Sequence, residues 1–550
     1  MHDAIAAAMP TLCLDGTFPH HSVKGLAFVG SALYASSAQS NAKLLICIQY
    51  RKGGYMFETA ELGRTVSKDD FDAQEPQLHA QLLSLQRQLR DLQVPVVIVI
   101  SGVEGAGKGG VVNRLNTWFD SRGVRTNAFW ELSDEERERP RYWRFWRALP
   151  ERGSIGLMLG SWYTEPIVEH AFERSDIDKF EHELRHIVEF EQLLIDDGAL
   201  IIKLWFHITK EEQDRRVDQD IEANIASPQL SSFAKQYQRF ITVSERAIRH
   251  TDLAIAPWHI IEATDERYQH ISVAKILVDA MTRCCENIEQ SAPKKKAVAK
   301  QLGDGVDGNG KTILDSLDLT SRMDRDAYEP ELQELQHRLR RLTWQAKKEK
   351  RDTVLVFEGW DAAGKGGNIR RLVAGIDARL VRVISVAAPN DEEKSHHYLW
   401  RFWRQLPRPG YVTVYDRSWY GRVLVERVEG LTPRRDWERA YQEINDFEEQ
   451  LTEHGIVLKK FWLHISPEEQ LRRFKEREEV DWKNYKITDE DWRNREQWEG
   501  YEHAVHDMVS RTSTANAPWT LVPANDKKAA RLMVIRSVCE ALEDALEQTP

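Results

Sequence analysis

Two stretches of the chain combine glycines and a lysine at the spacing GxxxxGK, Gly102–Lys108 and Gly359–Lys365. Glycine lets the backbone curl until several N–H groups point inward at phosphate oxygens. A helix starting at the lysine adds partial positive charge, and the lysine itself neutralises the outer phosphates. The second stretch, GWDAAGKGG, offers Gly359, Ala362, Ala363, Gly364, Lys365, Gly366 and Gly367 as a phosphate cradle. Loops of this kind usually continue with Ser or Thr, whose hydroxyl binds magnesium, but both copies here continue with glycine, Gly109 and Gly366. The metal must then find other hard oxygen donors. Asp361, inside the loop, is the natural replacement. Asp416, closing the apolar run Tyr411–Tyr415, stands where a Walker B acid would stand. A strand-end aspartate alone is often only a cap; beside this loop it reads as a second Mg2+ ligand.

Cations surround these acids. Arg417 follows Asp416, and Arg472, Arg473 and Arg477 lie on one predicted helix, where positions 473 and 477 share a face. Such a cluster can close over a transferring phosphoryl group and offset its charge. The alternative is a set of helical ion pairs with Glu468, Glu469 and Glu476. Arg401 and Arg404 likewise either bind an anion or flank an aromatic core.

The elements that must position these residues occur twice. Lys108 and Lys365 are 257 residues apart, and the same offset aligns Trp143–Arg147 (WRFWR) with Trp400–Arg404. It also aligns Ser161-Trp162-Tyr163 with Ser418-Trp419-Tyr420, Trp205 with Trp462, and Arg215-Arg216 with Arg472-Arg473. Two homologous domains are expected, 56–290 and 312–550, joined by a Lys- and Gly-rich linker over 291–311. Each begins with leucines at helical spacing, in Leu78–Leu92 and Leu332–Leu342. A β-branched or apolar run follows, Val94–Ile100 or Thr353–Phe357, then the glycine loop and a helix. With Tyr411–Tyr415 and Val457–Ile465 as further strands, the alternation predicts an α/β fold, a parallel sheet covered by helices in each half. The loops then lie at the carboxyl ends of strands, where such folds bind ligands.

With 30% charged and 41% hydrophobic residues, the chain of 550 reads as globular. A net charge of −11 argues against a general nucleic-acid binder. The five cysteines form no CxxC pair, which fits a reducing cytoplasm. No apolar run is long enough to span a membrane. Residues 1–55 read as a poorly ordered extension: Gly25–Ala38 is a weak, misplaced signal-peptide core, and Met56 is an alternative start.

Taken together, GWDAAGKGG, LWRFWRQLP at Leu399–Pro407 and YDRSWYGRVLVERVEG at Tyr415–Gly430 resemble the polyphosphate kinase 2 family, particularly its tandem members. Arg472–Arg477, Trp482-Lys483, Pro518-Trp519 and Asn525-Asp526-Lys527 extend the resemblance to the C-terminus. It implies two P-loop kinase-like domains with helical lids, and magnesium-dependent transfer from inorganic polyphosphate to AMP, giving ADP. Transfer to nucleoside diphosphates, or a regulatory polyphosphate-binding scaffold, are the rival expectations. The family places Asp361, Lys365, Asp416 and Arg417 at the catalytic centre and Arg473 and Arg477 in the lid segment. Lys527 would support polyphosphate, and a homodimer is implied. The first half departs where it matters: Glu104 stands for Asp361, Leu159 for Asp416, Gly160 for Arg417 and Asp220 for Arg477, while Lys108 remains. That half is therefore expected to be catalytically silent.

Overall fold

The computed structural model describes residues 56–223, 233–291, 312–479 and 489–547. The extension 1–55, the linker from 292 to 311 and Trp482-Lys483 lie outside the described residues. Among the described residues ten strands form two five-stranded sheets, and every pairing between them is parallel. The first holds β1 (Val96–Gly102), β2 (Val124–Ala128), β3 (Ile155–Leu159), β4 (Leu200–His207) and β5 (Trp258–Glu262) in the order β2-β3-β1-β4-β5. The second holds β6 (Thr353–Gly359), β7 (Val381–Ser385), β8 (Val412–Asp416), β9 (Val457–His464) and β10 (Trp519–Pro523). Its order, β7-β8-β6-β9-β10, repeats the first.

The central strands are continuous β-branched and apolar runs because both faces are covered, and β1 and β6 are buried along all but their last residue. Helix Lys68–Asp91 buries Leu78, Leu82, Leu85 and Leu89 on one stripe and packs beside Glu266–Ser291. Arg325–Lys348 and Lys527–Glu547 repeat that pair in the second half. Strand β8 runs one residue beyond the expected Tyr415, so Asp416 is its last residue, level with Phe357 on β6.

The repeated Ser-Trp-Tyr motif is structural. In the second half Glu448 accepts hydrogen bonds from Trp419 Nε1 (3.0 Å), Tyr420 Oη (2.7 Å) and Lys460 Nζ (2.6 Å), all four side chains being buried. The Lys460 ammonium also donates to the Thr512 carbonyl at 2.7 Å. Glu191, Trp162, Tyr163, Lys203 and Thr251 rebuild the same network in the first half. A buried charge left without its partner is costly. Lys460→Met is therefore expected to destabilise the second half by about 3–5 kcal/mol in chemical denaturation, with much of that recovered in the Lys460→Met/Glu448→Gln double variant.

The two halves meet through equivalent aromatic residues. Trp146 and Trp403, equivalent positions of the repeat, stack on each other with ring centroids 5.9 Å apart and planes 15° from parallel. Each is backed by an equivalent phenylalanine, Phe190 or Phe447, in an edge contact. Arg139 donates to the Leu406 carbonyl (3.1 Å) and Arg439 pairs with Asp197 (3.5 Å) across the same seam. Carboxyls crowd there too. Burial lifts the half-buried Asp446 carboxyl to about 6. A carboxyl whose folded-state pKa is raised favours the fold while protonated and opposes it once ionised, so its cost develops from about pH 4 to 6. Asp446→Asn should therefore raise the thermal midpoint relative to the parent at pH 8 and leave it nearly unchanged at pH 4.

Candidate active site

The loop after β6 is shaped by contacts that exclude side chains. Gly359 has φ +151°, and a Cβ there would sit 2.6 Å from the Leu463 carbonyl oxygen on β9. Gly364 (φ +103°) then turns the chain into helix Lys365–Ala374, whose first N–H groups face the loop. Lys365 Nζ donates to the Gly359 carbonyl at 2.6 Å and reaches the Trp360 carbonyl at 3.4 Å.

The loop opens onto a cavity of about 480 Å³. Asp361, Gly364, Lys365, Gly366 and Gly367 line it from the loop side, and Asp416, Arg417 and Arg477 from beyond. The structure therefore brings together both candidate metal acids and three of the candidate cations. The Asp361 carboxylate is held by Asn494 Nδ2 at 2.9 Å and by Arg417 at 3.4 Å. Magnesium fits this donor set: two carboxylates on the wall of a cavity that also holds the phosphate loop, with open space at Gly366, where a Cβ would meet nothing within 4 Å.

Arg473 does not join this group. Only 2% exposed, it makes five hydrogen bonds: Nε to Glu469, one terminal nitrogen to the carbonyls of Ala362 and Ala363, the other to Ala524 and Asn525. A guanidinium has five N–H groups, so none remains for a phosphate. Arg473 is a buckle beneath the loop, and Gln470 assists it by donating to the Asp361 carbonyl at 3.1 Å. The first half keeps both devices, with Arg216 on the carbonyls of Gly105, Ala263 and Thr264 and Gln213 on that of Glu104. A contact retained where the candidate metal acids are absent belongs to the loop's architecture. Arg472 points outward into ion pairs with Glu469 and Glu476. Arg401 and Arg404 pair with Glu393 and Glu392 and lie over Phe402 and Trp400, so they flank the aromatic core. Lys527 is the first residue of its helix, half-buried, and does not line the cavity. Burial, then the neighbouring Arg473, lower its pKa.

Several contributors escaped the sequence reading. Glu358, the next-to-last residue of β6 before the loop, is buried, accepts a hydrogen bond from Ser418 Oγ at 2.8 Å, and has its pKa raised by burial. Its equivalent in the first half is Ser101, a substitution visible in the repeat alignment. Asn494, Asp491 and Arg370 also reach this site, and Trp360 stacks on Trp498 with centroids 3.7 Å apart. Two backbone conformations stand out: Ala362 (φ +61°) and Arg417 (φ +65°) are non-glycine residues in the left-handed region. Their equivalents in the first half, Gly105 (φ +84°) and Gly160 (φ +68°), hold the same conformation without that strain.

The first-half cleft has different chemistry. Glu104, one methylene longer than Asp361, reaches back to Lys108 Nζ at 3.0 Å, so the loop lysine is neutralised from within its own loop. Leu159 and Gly160 face the cavity where an acid and a cation stand in the second half.

Residues 65–289 and 322–550 each match the Polyphosphate kinase 2 family model. A protein of Pseudomonas aeruginosa named polyphosphate:AMP phosphotransferase is 44% identical over 90% of this chain and the whole of its own length. A protein of the same name from Pseudomonas syringae pv. tomato is 43% identical over 89% of this chain and 99% of its own. A crystal structure of a polyphosphate kinase 2 from Pseudomonas aeruginosa superposes with a TM-score of 0.82 at 43% identity, covering 90% of this chain and all of that one. With both sheets, both loops and both family matches in one chain, this protein belongs to the polyphosphate kinase 2 family and carries its domain twice.

Proposed function

We propose that the chain transfers the terminal phosphoryl group of inorganic polyphosphate to AMP, giving ADP, and that the second half does so. The observation that carries this reading is the single cavity where the phosphate loop, Asp361, Asp416, Arg417 and Arg477 converge. The name shared by the full-length relatives supports AMP as acceptor. In the reaction the terminal anhydride P–O bond breaks, a new P–O bond forms to an AMP phosphate oxygen, and the shortened polyphosphate departs with the electron pair. That acceptor oxygen is already ionised near neutral pH, so no strong general base is required.

Positioning and charge compensation then carry the rate. The loop N–H groups and Lys365 hold phosphate oxygens, while Arg417 and Arg477 offset charge developing on the transferred group. Arg473 and Gln470 keep the loop rigid from below. Asp361 and Asp416 would hold Mg2+, which when bound neutralises phosphate charge. Among the described residues no helix is long and apolar enough to cross a membrane, and Cys284, Cys285 and Cys539 are free thiols, which supports a cytoplasmic site of action.

The test offers purified protein polyphosphate and magnesium with AMP, ADP or GDP in separate reactions, the products resolved by chromatography. ADP from AMP, abolished by chelation, is the expected result. ATP from ADP with nothing from AMP would make the enzyme a nucleoside diphosphate kinase, and no product from any acceptor would remove the kinase reading.

A further inference from the structure

Across the seam between the halves, away from the phosphate loops, three metal-ligating side chains converge. His182 and His186 are one turn apart on helix Ile177–Asp196, within the sequence HELRH. Two histidines at this spacing share a helical face and are a familiar pair of zinc ligands. Glu453, the last residue of helix Arg434–Glu453 in the other half, faces them. His182 Nε2 lies 3.0 Å from one Glu453 oxygen and His186 Nδ1 3.9 Å from the other. One ligand atom from each residue falls within 4.8 Å of the others. Ligands at zinc bond lengths, arranged tetrahedrally, are about 3.3 Å apart. Small side-chain adjustments therefore bring the three onto one ion.

The repeat supplies an internal comparison. The equivalents of His182 and His186 in the second half are Arg439 and Glu443, and the seam there is closed by a permanent ion pair, Arg439 to Asp197 at 3.5 Å. On the His182 side two imidazoles stand where the other half has an arginine and a glutamate, and a carboxylate again faces them. Imidazole is a poor permanent cation at neutral pH and a good transition-metal ligand. We propose that His182, His186 and Glu453 bind a divalent transition-metal ion, of which Zn2+ is the best match, and that the bound ion ties the two halves together.

The site is structural and not hydrolytic. In metalloproteases the Glu of such a motif activates water, but here Glu183 is engaged in an ion pair with Arg141, also bonded to the Trp162 carbonyl at 2.7 Å. The fourth coordination position is left to water or to Glu449, one turn before Glu453. Arg185, which donates to His182 Nδ1 at 3.1 Å without metal, must turn away, since that nitrogen carries the proton once Nε2 ligates.

Full-length protein, stripped with chelator and held in excess Mg2+, is titrated with Co2+ while visible absorption is recorded, and separately melted with and without Zn2+. Tetrahedral cobalt with nitrogen ligands absorbs far more strongly than octahedral cobalt on carboxylates, which separates this site from the Asp361–Asp416 pair. We expect one strongly absorbing Co2+ per chain and a thermal midpoint raised by roughly 3 °C when Zn2+ exceeds its Kd a hundredfold. His182→Ala and Glu453→Gln should each weaken cobalt binding at least tenfold and remove the zinc shift. Both positions are partly exposed, and circular dichroism verifies that the variants fold. Absence of the strong band in the parent, or a band unchanged in both variants, overturns the proposal.

Discussion

Replacing Asp416 by Asn should reduce turnover roughly 10³-fold or more while leaving the thermal midpoint close to that of the parent. Asp416 ends β8 level with Phe357, so its carboxylate sits at the rim of the sheet beside the loop that leaves β6. Asparagine keeps the shape and removes the charge. If the residue only capped the strand, the amide would serve nearly as well and turnover would hardly change. If it holds a cation against phosphate oxygens, the loss appears mainly in kcat and is not rescued by raising AMP. Kinetics of the two proteins at saturating polyphosphate, with melting curves beside them, separate the two roles.

Arg417→Gly should lower turnover roughly 10³-fold yet make a more stable protein than Arg417→Ala, by about 1 kcal/mol. At φ +65° any side chain with a Cβ is strained, and the first half shows the relaxed solution in Gly160 at φ +68°. The second half keeps an arginine there because its guanidinium reaches the cavity and Asp361 at 3.4 Å. Alanine loses the charge and keeps the strain; glycine loses both. Equal stability of the two variants in denaturant titrations would remove strain from the account, and turnover near the parent's in either would remove Arg417 from the chemistry.

Much of this is legible in the amino-acid sequence. The glycine loops, the offset of 257 and the β-branched runs lead to two parallel sheets, because a strand buried on both faces must be apolar along its length. That Asp361, Lys365, Asp416 and Arg417 line one cavity was legible for a similar reason, since loop and strand-end positions are fixed by the sheet. Arg473 was not. Helical spacing places it on the face of Arg477, but cannot tell that this face covers the loop's carbonyls at position 473 and opens onto the cavity at 477. Lys527 was marked by its neighbours in a motif and turns out to begin a helix beside Arg473. Asn494 was hidden because it falls between two registers of the repeat, Lys203 matching Lys460 while Thr251 matches Thr512. The two tryptophans at 146 and 403 were visible as a repeated pair, but only the fold brings equivalent residues of one chain face to face.

The first half keeps its loop lysine, its buckle arginine and its buried Glu–Lys network, yet closes Lys108 on Glu104. It has the architecture of the second half without the charges that would act on a phosphate. The most direct test compares turnover of Lys365→Ala and Lys108→Ala under the same magnesium, polyphosphate and AMP concentrations. A collapse of activity in Lys365→Ala with near-parental activity in Lys108→Ala is the predicted result. Comparable losses in both would mean that the two halves share the chemistry.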